Sequence, residues 1–133
     1  MLLTNGYEIA NAVTTVPEEV KPVTRLSSEL GATYSEQQIK VIVDEYSIKY
    51  GVDSTRVLET IRCESRFKNV QSGIVSQGIR EDSWGIVQIH LPSHPTISKQ
   101  QALTPEFALE WMVKQFSNGK AKQWTCYRTL YPA

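Results

Sequence analysis

Long apolar runs are missing from this chain of 133 residues, in which at most three hydrophobic residues follow one another. A membrane-spanning helix needs about 20 apolar residues, and a secretory signal peptide needs a stretch of about 7–15. We therefore expect no membrane span, and no signal peptide is visible in this sequence. With 41% hydrophobic residues, the chain can still build one compact domain around its own core.

Net charge is missing as well, because fourteen Lys and Arg residues balance fourteen Asp and Glu residues. We expect no nucleic-acid partner, since there is no global basic charge and no basic, aromatic-rich stripe. The balance hides an asymmetry: residues 1–60 hold five basic and nine acidic residues, and residues 61–133 hold nine and five. Either these charges simply lie on solvated faces, or a substrate bound by the second half is neutral or anionic.

The first quarter of the chain differs in composition from the rest. Residues 1–33 have no sustained helical period and contain Pro17, Pro22 and a single aromatic residue, Tyr7. We interpret this segment as an N-terminal arm or linker that is poorly ordered unless it docks. Residues 34–133 are then the folded domain.

Three longer helices are indicated by their start signals and by apolar residues on one face. The signals are a Ser-x-x-Gln capping box at Ser35, an N-cap at Asp53 or Ser54, and a Thr-Pro-Glu start at Thr104. Residues 66–82 are rich in Ser, Gly, Gln and Asn and predict a loop or short hairpin. A turn capped by Ser83, a short helix from Thr96 and a short final helix complete a mostly α architecture.

Glu64 is the residue whose position bears most on chemistry. It lies where the second predicted helix ends, and the partial negative charge of the helix carbonyls there should raise the carboxyl pKa. Phe67 and Trp84 are near in sequence and are expected to desolvate it further. Cleavage of a glycosidic bond requires a carboxylic acid that stays protonated near neutral pH. Position alone, however, more often indicates an ordinary surface glutamate.

Two motifs add information when they are taken together. The run Cys63-Glu64-Ser65-Arg66-Phe67 is followed by the run Ser83-Trp84-Gly85-Ile86-Val87-Gln88-Ile89. In order, spacing and residue type they resemble the Glu-Ser-x-Phe and Gly-x-x-Gln-Ile steps of lytic transglycosylases in the lysozyme-like superfamily. The resemblance covers residues 35–130 and implies a small, mostly α lysozyme-like (α+β) fold. A short loop or hairpin region would form one wall of its substrate groove.

The resemblance also implies an activity and roles for single residues. Glu64 would be the only catalytic acid/base, cutting the β-1,4 bond between N-acetylmuramic acid and N-acetylglucosamine of peptidoglycan to leave 1,6-anhydro ends, without cofactor or metal. The residues expected to bind the glycan strand are Ser65, Ser83, Trp84, Gln88 and Tyr127, with His90 added from a Pro-rich loop beside the cleft. The setting would be extracytoplasmic (periplasmic or secreted) or phage-associated, and the enzyme a monomer.

The sequence departs from the family pattern between the two motifs, so the loop there is expected to be reshaped. Trp84 stands where the family usually has Ala, and the Ser-x-x-Gly-Ala run is replaced by residues 76–79. Trp111 is assigned to the core, and Trp124 either to the core or to an aromatic face of the groove.

A second carboxylate keeps two other functions open. Asp82 lies eighteen positions after Glu64 in the predicted loop, and a hydrolytic lysozyme would use such a residue as nucleophile or base. Glu81 is the weaker candidate for that role. The remaining alternative is a wall-binding module that has the groove but no turnover.

Cys63 and Cys126 are the only cysteines, and they flank the end of the catalytic helix and the final helix. They either meet as a disulfide, which would indicate an oxidising compartment, or stay buried as free thiols. With His90 and His94 they also form a Cys2His2 set of the kind that binds zinc. Pro92 lies between the histidines and opposes their helical presentation, so we expect no metal.

Overall fold

The structure is a computed structural model, and it describes residues 33–133. The arm predicted for residues 1–33 therefore lies outside the described residues, apart from Thr33. The described part has the predicted fold class: it is mostly α, with small antiparallel hairpins, and belongs to the α+β class. Among its helices, none has the length and apolar character that crossing a membrane requires.

Five α-helices and two hairpins make up residues 33–133. The helices are α1 (Glu36–Tyr50), α2 (Ser54–Ser65), α3 (Lys99–Ala102), α4 (Pro105–Ser117) and α5 (Thr125–Leu130). The strands are β1 (Val75–Ser76), paired with β2 (Ile79–Arg80), and β3 (Ser83–Trp84), paired with β4 (Ile89–His90). Short 3-10 helices at Leu91–Ser93 and Ala121–Gln123 precede α3 and α5.

The α1–α2 helical hairpin is set by local signals that the sequence shows. Ser35 Oγ accepts the backbone N–H of Gln38 at 3.1 Å, and Gln38 Oε1 accepts that of Ser35 at 2.7 Å. Helix α1 ends at Gly51, whose φ of 68° is left-handed and suits glycine. Asp53 then caps α2 by accepting the N–H of Thr55. These caps confirm the predicted starts of both helices.

The hydrophobic core lies between α1, α2 and α4 and is closed by the β3–β4 hairpin. Its fully buried large side chains are Ile39, Ile42, Val43, Val57, Ile61, Ile86, Val87, Ile89, Leu109, Met112 and Val113. Burying each such side chain stabilises the fold by about 1.5–3 kcal/mol relative to leaving it exposed. Since the β3–β4 turn and α2 both contribute to this core, the end of α2 is held beside that turn.

Two local predictions are wrong. Ser83 does not cap a turn, because it lies in β3 and pairs with His90 of the neighbouring strand. The helix expected from Thr96 begins only at Lys99, since Ser98 provides the N-cap and completes a capping box there.

Gly85, in the turn between β3 and β4, has the closest neighbours of the glycines in residues 33–133. Its φ is +89°, and a Cβ would lie 2.0 Å from the carbonyl oxygen of Ala102 in α3. We therefore expect Gly85→Ala to lower the free energy of unfolding by about 2–4 kcal/mol, measured by urea denaturation.

The matched control is Gly78→Ala. Gly78 also has a left-handed φ, +80°, but nothing lies within 4 Å of the position that a Cβ would take there, so only the backbone cost of about 1–2 kcal/mol applies. An equal decrease in the free energy of unfolding in the two variants would contradict the close contact between Gly85 and α3.

Candidate active site

A groove of about 430 Å³ passes the C-terminal end of α2. The hairpin region and the loop after it form one wall, as predicted, and its lining residues are Ile74, Glu81, Ser83, Gln88 and His90. The other wall is formed by α4 and the start of α5, and its lining residues include Trp111, Trp124, Thr125 and Cys126. Glu64, in the last turn of α2, lines the groove between these walls.

Glu64 is partly buried, and its carboxyl group is held by the backbone. Its Oε2 accepts the N–H of Cys126 at 3.1 Å. Burial raises the pKa of Glu64 above its ordinary value, and the negative charge of Glu81 adds to this rise, while the Cys126 N–H and the positive charge of Arg128 act in the opposite direction. The net shift is upward, so this carboxyl group keeps its proton to higher pH than an ordinary glutamate does, which suits a proton donor.

The raised pKa has a consequence for stability. Because the folded-state pKa of Glu64 lies above the 4.5 of the free side chain, the folded protein binds this proton more tightly than the unfolded chain does. The stabilisation is fully present below about pH 4.5 and is lost as the pH rises through the folded-state pKa. Glu64→Gln should therefore raise the melting temperature near neutral pH, where wild-type folding must either keep this proton against the pH of the solution or bury a carboxylate.

Differential scanning calorimetry at neutral pH and at about pH 4 checks this expectation. Near pH 4 the gain should shrink, because wild-type Glu64 is then protonated and resembles the amide of Gln. A variant that melts below wild type at neutral pH would contradict burial of the charge at this site.

Cys63 and Cys126 form a disulfide, which is one of the predicted alternatives. Their Cα atoms lie 5.9 Å apart, a normal spacing for a bridge. The bond joins α2, one residue before Glu64, to the first turn of α5. The free-thiol alternative is therefore wrong, and the Cys2His2 zinc alternative loses both thiolates. Among residues 33–133, no three His, Cys, Asp or Glu side chains are placed to hold a metal ion.

Three predicted substrate-binding residues line the groove: Ser83, Gln88 and His90. Gln88 is buried and has a left-handed φ of 56°. Its Nε2 donates to the carbonyl oxygens of Val70 and Gly85, both at 2.9 Å. These two bonds use both amide hydrogens and fix the side chain, so its carbonyl oxygen is the group that can accept a ligand hydroxyl.

Ser65, which was expected to bind the glycan strand, lies outside the groove lining. Its Oγ donates to the carbonyl oxygen of Ile86 at 2.6 Å and accepts the N–H of Phe67 at 3.1 Å. These bonds tie the end of α2 to the β3–β4 turn. Ser65 thus places Glu64 and Gln88 relative to each other without touching either side chain's polar group.

Trp84 and Tyr127 also lie outside the groove lining, so their predicted places at the site are corrected. The indole N–H of Trp84 donates to Asp82 at 2.6 Å, and the Lys99 ammonium lies 4.4 Å from its ring centroid. The Tyr127 hydroxyl accepts from Arg56 of α2 at 3.0 Å. Both aromatic side chains are engaged in contacts away from Glu64.

Glu81 is the second carboxylate of the groove, and Asp82 is not. Glu81 lines the same groove as Glu64, and its Oε1 accepts from Ser72 Oγ at 2.8 Å. Asp82 is exposed and lines a different hollow beside the first hairpin. The two neighbours lie on the short connection between β2 and β3, and the indole N–H of Trp84 holds Asp82 away from the groove.

The aromatic end of the groove contains Trp124, one of whose predicted places was an aromatic face of the groove, and also Trp111 and His94, which were not predicted there. Trp124 is buried, and its indole N–H donates to the backbone carbonyl oxygen of Val87 at 2.8 Å. Its side chain also lines the groove. Trp111, assigned to the core alone, packs edge-on against Trp124 and His94, with ring centroids 5.6 and 4.9 Å apart. The position of Cys126 was the available signal, because its bridge to Cys63 brings the start of α5 beside Glu64.

These residues together form a groove with two carboxyl groups, of Glu64 and Glu81, several other polar side chains and an aromatic end. Such a site can bind an uncharged, hydroxyl-rich ligand and protonate it. Comparison with protein-family models, curated proteins and solved structures finds no match to this chain.

Proposed function

We propose that this protein is a lytic transglycosylase that cleaves the glycan strands of peptidoglycan, with Glu64 as its acid/base. The observation that carries the proposal is the partly buried Glu64 carboxyl group, whose pKa is raised, in a groove that also contains the anchored Gln88. The choice of peptidoglycan as the substrate is inferred from the similarity of the two motifs to those of lytic transglycosylases.

The proposed reaction needs one carboxyl group and no water. Protonated Glu64 donates its proton to the oxygen between N-acetylmuramic acid and N-acetylglucosamine, and the bond from C1 to that oxygen breaks. The Glu64 carboxylate then removes the proton from the muramyl 6-hydroxyl while that oxygen bonds to C1. The products are an N-acetylglucosamine end and a 1,6-anhydro end, and Glu64 is protonated again. The Cys126 N–H stabilises the carboxylate between the two transfers.

Other features of the molecule are compatible with this substrate. The Gln88 carbonyl oxygen, the Ser83 hydroxyl and the His90 imidazole offer hydrogen bonds to sugar hydroxyls and acetamido groups. Trp124 offers an apolar ring edge to a sugar. The disulfide is typical of proteins outside the reducing cytoplasm, which is where a cell-wall enzyme acts.

Hydrolysis is the second candidate, and the place of Glu81 is the observation that favours it. A lysozyme-type enzyme pairs its acid with a second carboxylate that acts as nucleophile or activates water. Glu81 faces the groove that contains Glu64 and interacts with its charge, so it replaces Asp82 as the residue for that role.

Mass spectrometry of the products from purified sacculi tests the proposal. Digestion in 18O-labelled water should give 1,6-anhydro ends that carry no label. Reducing ends with one 18O atom would instead establish the hydrolase. Glu81→Gln should abolish cleavage if the enzyme is a hydrolase and leave cleavage intact if it is a transglycosylase. Binding without any cleavage would contradict both enzymes and leave the wall-binding module.

A further inference from the structure

Two connections join the last turn of α2 to the first turn of α5: the Cys63–Cys126 disulfide and the hydrogen bond from the Cys126 backbone amide to the Glu64 carboxyl group. Cys63 precedes Glu64 directly in α2 and is bonded to Cys126, and Cys126 donates its backbone N–H to Glu64 Oε2 at 3.1 Å. The same two chain segments are therefore joined twice, once covalently and once through the side chain that we propose as the acid.

The rest of α5 is attached to the domain away from the groove. Tyr127 accepts a hydrogen bond from Arg56, and Tyr131 donates one to Glu59, both on the part of α2 that precedes Cys63. These contacts leave the disulfide as the covalent connection between the first turn of α5 and the last turn of α2. Trp124, just before this helix, is buried and donates to the carbonyl oxygen of Val87, so it and the disulfide are the attachments nearest to the Cys126 N–H.

We infer that Cys126 is a positioning residue for Glu64 and that the Cys63–Cys126 disulfide keeps its backbone N–H on the carboxyl group. Turnover then depends on the redox state of the bridge. The inference rests on the proposed function for its effect on catalysis, but the coupling between the amide and the carboxyl group can be measured without any substrate.

A dithiol reductant can open the bridge by exchange. One of its thiolates bonds to a cysteine sulfur as the Cys63–Cys126 S–S bond breaks, which leaves a mixed disulfide and one cysteine thiolate that takes up a proton. Its second thiolate then bonds to the first reductant sulfur and breaks the mixed disulfide, so the reductant becomes a cyclic disulfide, loses two electrons, and Cys63 and Cys126 are both thiols. Without the bridge, the N–H of Cys126 is free to leave the Glu64 carboxyl group.

Several charged or titratable groups surround Glu64 besides this amide. They are Glu81 from the β2–β3 connection, Arg128 of α5, and the imidazoles of His90 and His94 across the groove. Loss of the amide removes a contact that favours the carboxylate and leaves the others in place. The alkaline limb of the pH profile of kcat/KM, which reports loss of the protonated acid, should therefore move to higher pH.

Nuclear magnetic resonance on the oxidised wild-type protein gives the first test. The amide proton of Cys126 should move downfield as Glu64 ionises, with the same midpoint as the Glu64 carboxyl carbon, and this movement should vanish in Glu64→Gln. If the chemical shift of the Cys126 amide proton does not change as Glu64 ionises, the inference is overturned, even if the protein cleaves peptidoglycan.

The second test compares Cys63→Ser/Cys126→Ser with Tyr131→Phe, which removes a different α2–α5 contact. For equal folded protein, the double variant should lose about 10–100-fold in kcat, as expected when a catalytic group is misplaced, and its alkaline limb should move upward. Tyr131→Phe should keep the wild-type kcat and the wild-type alkaline limb. Wild-type kcat and pH profile in the double variant would refute the inference, and the resonance test decides if that variant does not fold. A wild-type protein without cleavage would refute the proposed function alone.

Discussion

Glu64→Gln is expected to reduce the rate of glycan cleavage by about 10²–10⁴-fold, the range that a general acid contributes. Gln has the size of Glu and can still accept the Cys126 N–H, but it has no proton to give to the leaving oxygen. Binding to sacculi should stay within a few-fold of wild type, because the amide leaves the groove lining in place. Clearing of a sacculus suspension and co-sedimentation measure the two effects separately.

The matched control for this variant is Glu36→Gln. Glu36 is an exposed residue of α1 whose carboxylate pairs with Arg62 at 2.9 Å, and exposed pairs contribute only about 0–1 kcal/mol. Full clearing is expected from this variant. Clearing that survives in Glu64→Gln would show that Glu64 is not the acid.

Removal of the disulfide is expected to have the largest effect on stability. The bridge closes a loop of 63 residues, and chain entropy then predicts a loss of about 4 kcal/mol in the free energy of unfolding for Cys63→Ser/Cys126→Ser. Since whole domains are stable by only about 5–15 kcal/mol, the variant should unfold at much lower urea concentration. Both cysteines are replaced so that no unpaired thiol remains to react.

Urea denaturation of wild type under oxidising and reducing conditions provides the control for that experiment. Reduced wild type should unfold at the same urea concentration as the double-serine variant, because both lack the same constraint on the unfolded chain. A change below about 1 kcal/mol in either case would show that the bridge contributes little through the unfolded state.

The helix boundaries are the features of this fold that the sequence predicts best, because their signals are local. The capping box at Ser35, the left-handed Gly51 and the cap at Asp53 lie within a few residues of the backbone groups that they satisfy. The helix expected after Thr104 also begins at Pro105, but the Thr104 side chain does not cap it, because its hydroxyl donates to the carbonyl oxygen of Gln100. The prediction for Ser83 was wrong because its strand is defined by pairing with His90, seven residues away, and no local capping signal indicates that pairing.

The candidate site was predictable only where a motif fixes the backbone. The motif positions Glu64 and Gln88 both line the groove. The side-chain directions of Asp82 and Trp84 were not predictable, because each is determined by its hydrogen bond to the other. Tyr127 belongs to α5, whose orientation depends on long-range contacts such as the one with Arg56.

The central claim is that the surroundings of Glu64 keep its carboxyl group protonated to higher pH than an ordinary glutamate. A titration of the Glu64 carboxyl carbon by nuclear magnetic resonance, assigned with Glu64→Gln, tests it most directly. We predict an apparent pKa above 4.5 in the oxidised protein. A pKa at or below 4.5 would show that hydration, the Cys126 N–H or Arg128 outweighs burial, and it would contradict Glu64 as a proton donor held ready in the groove.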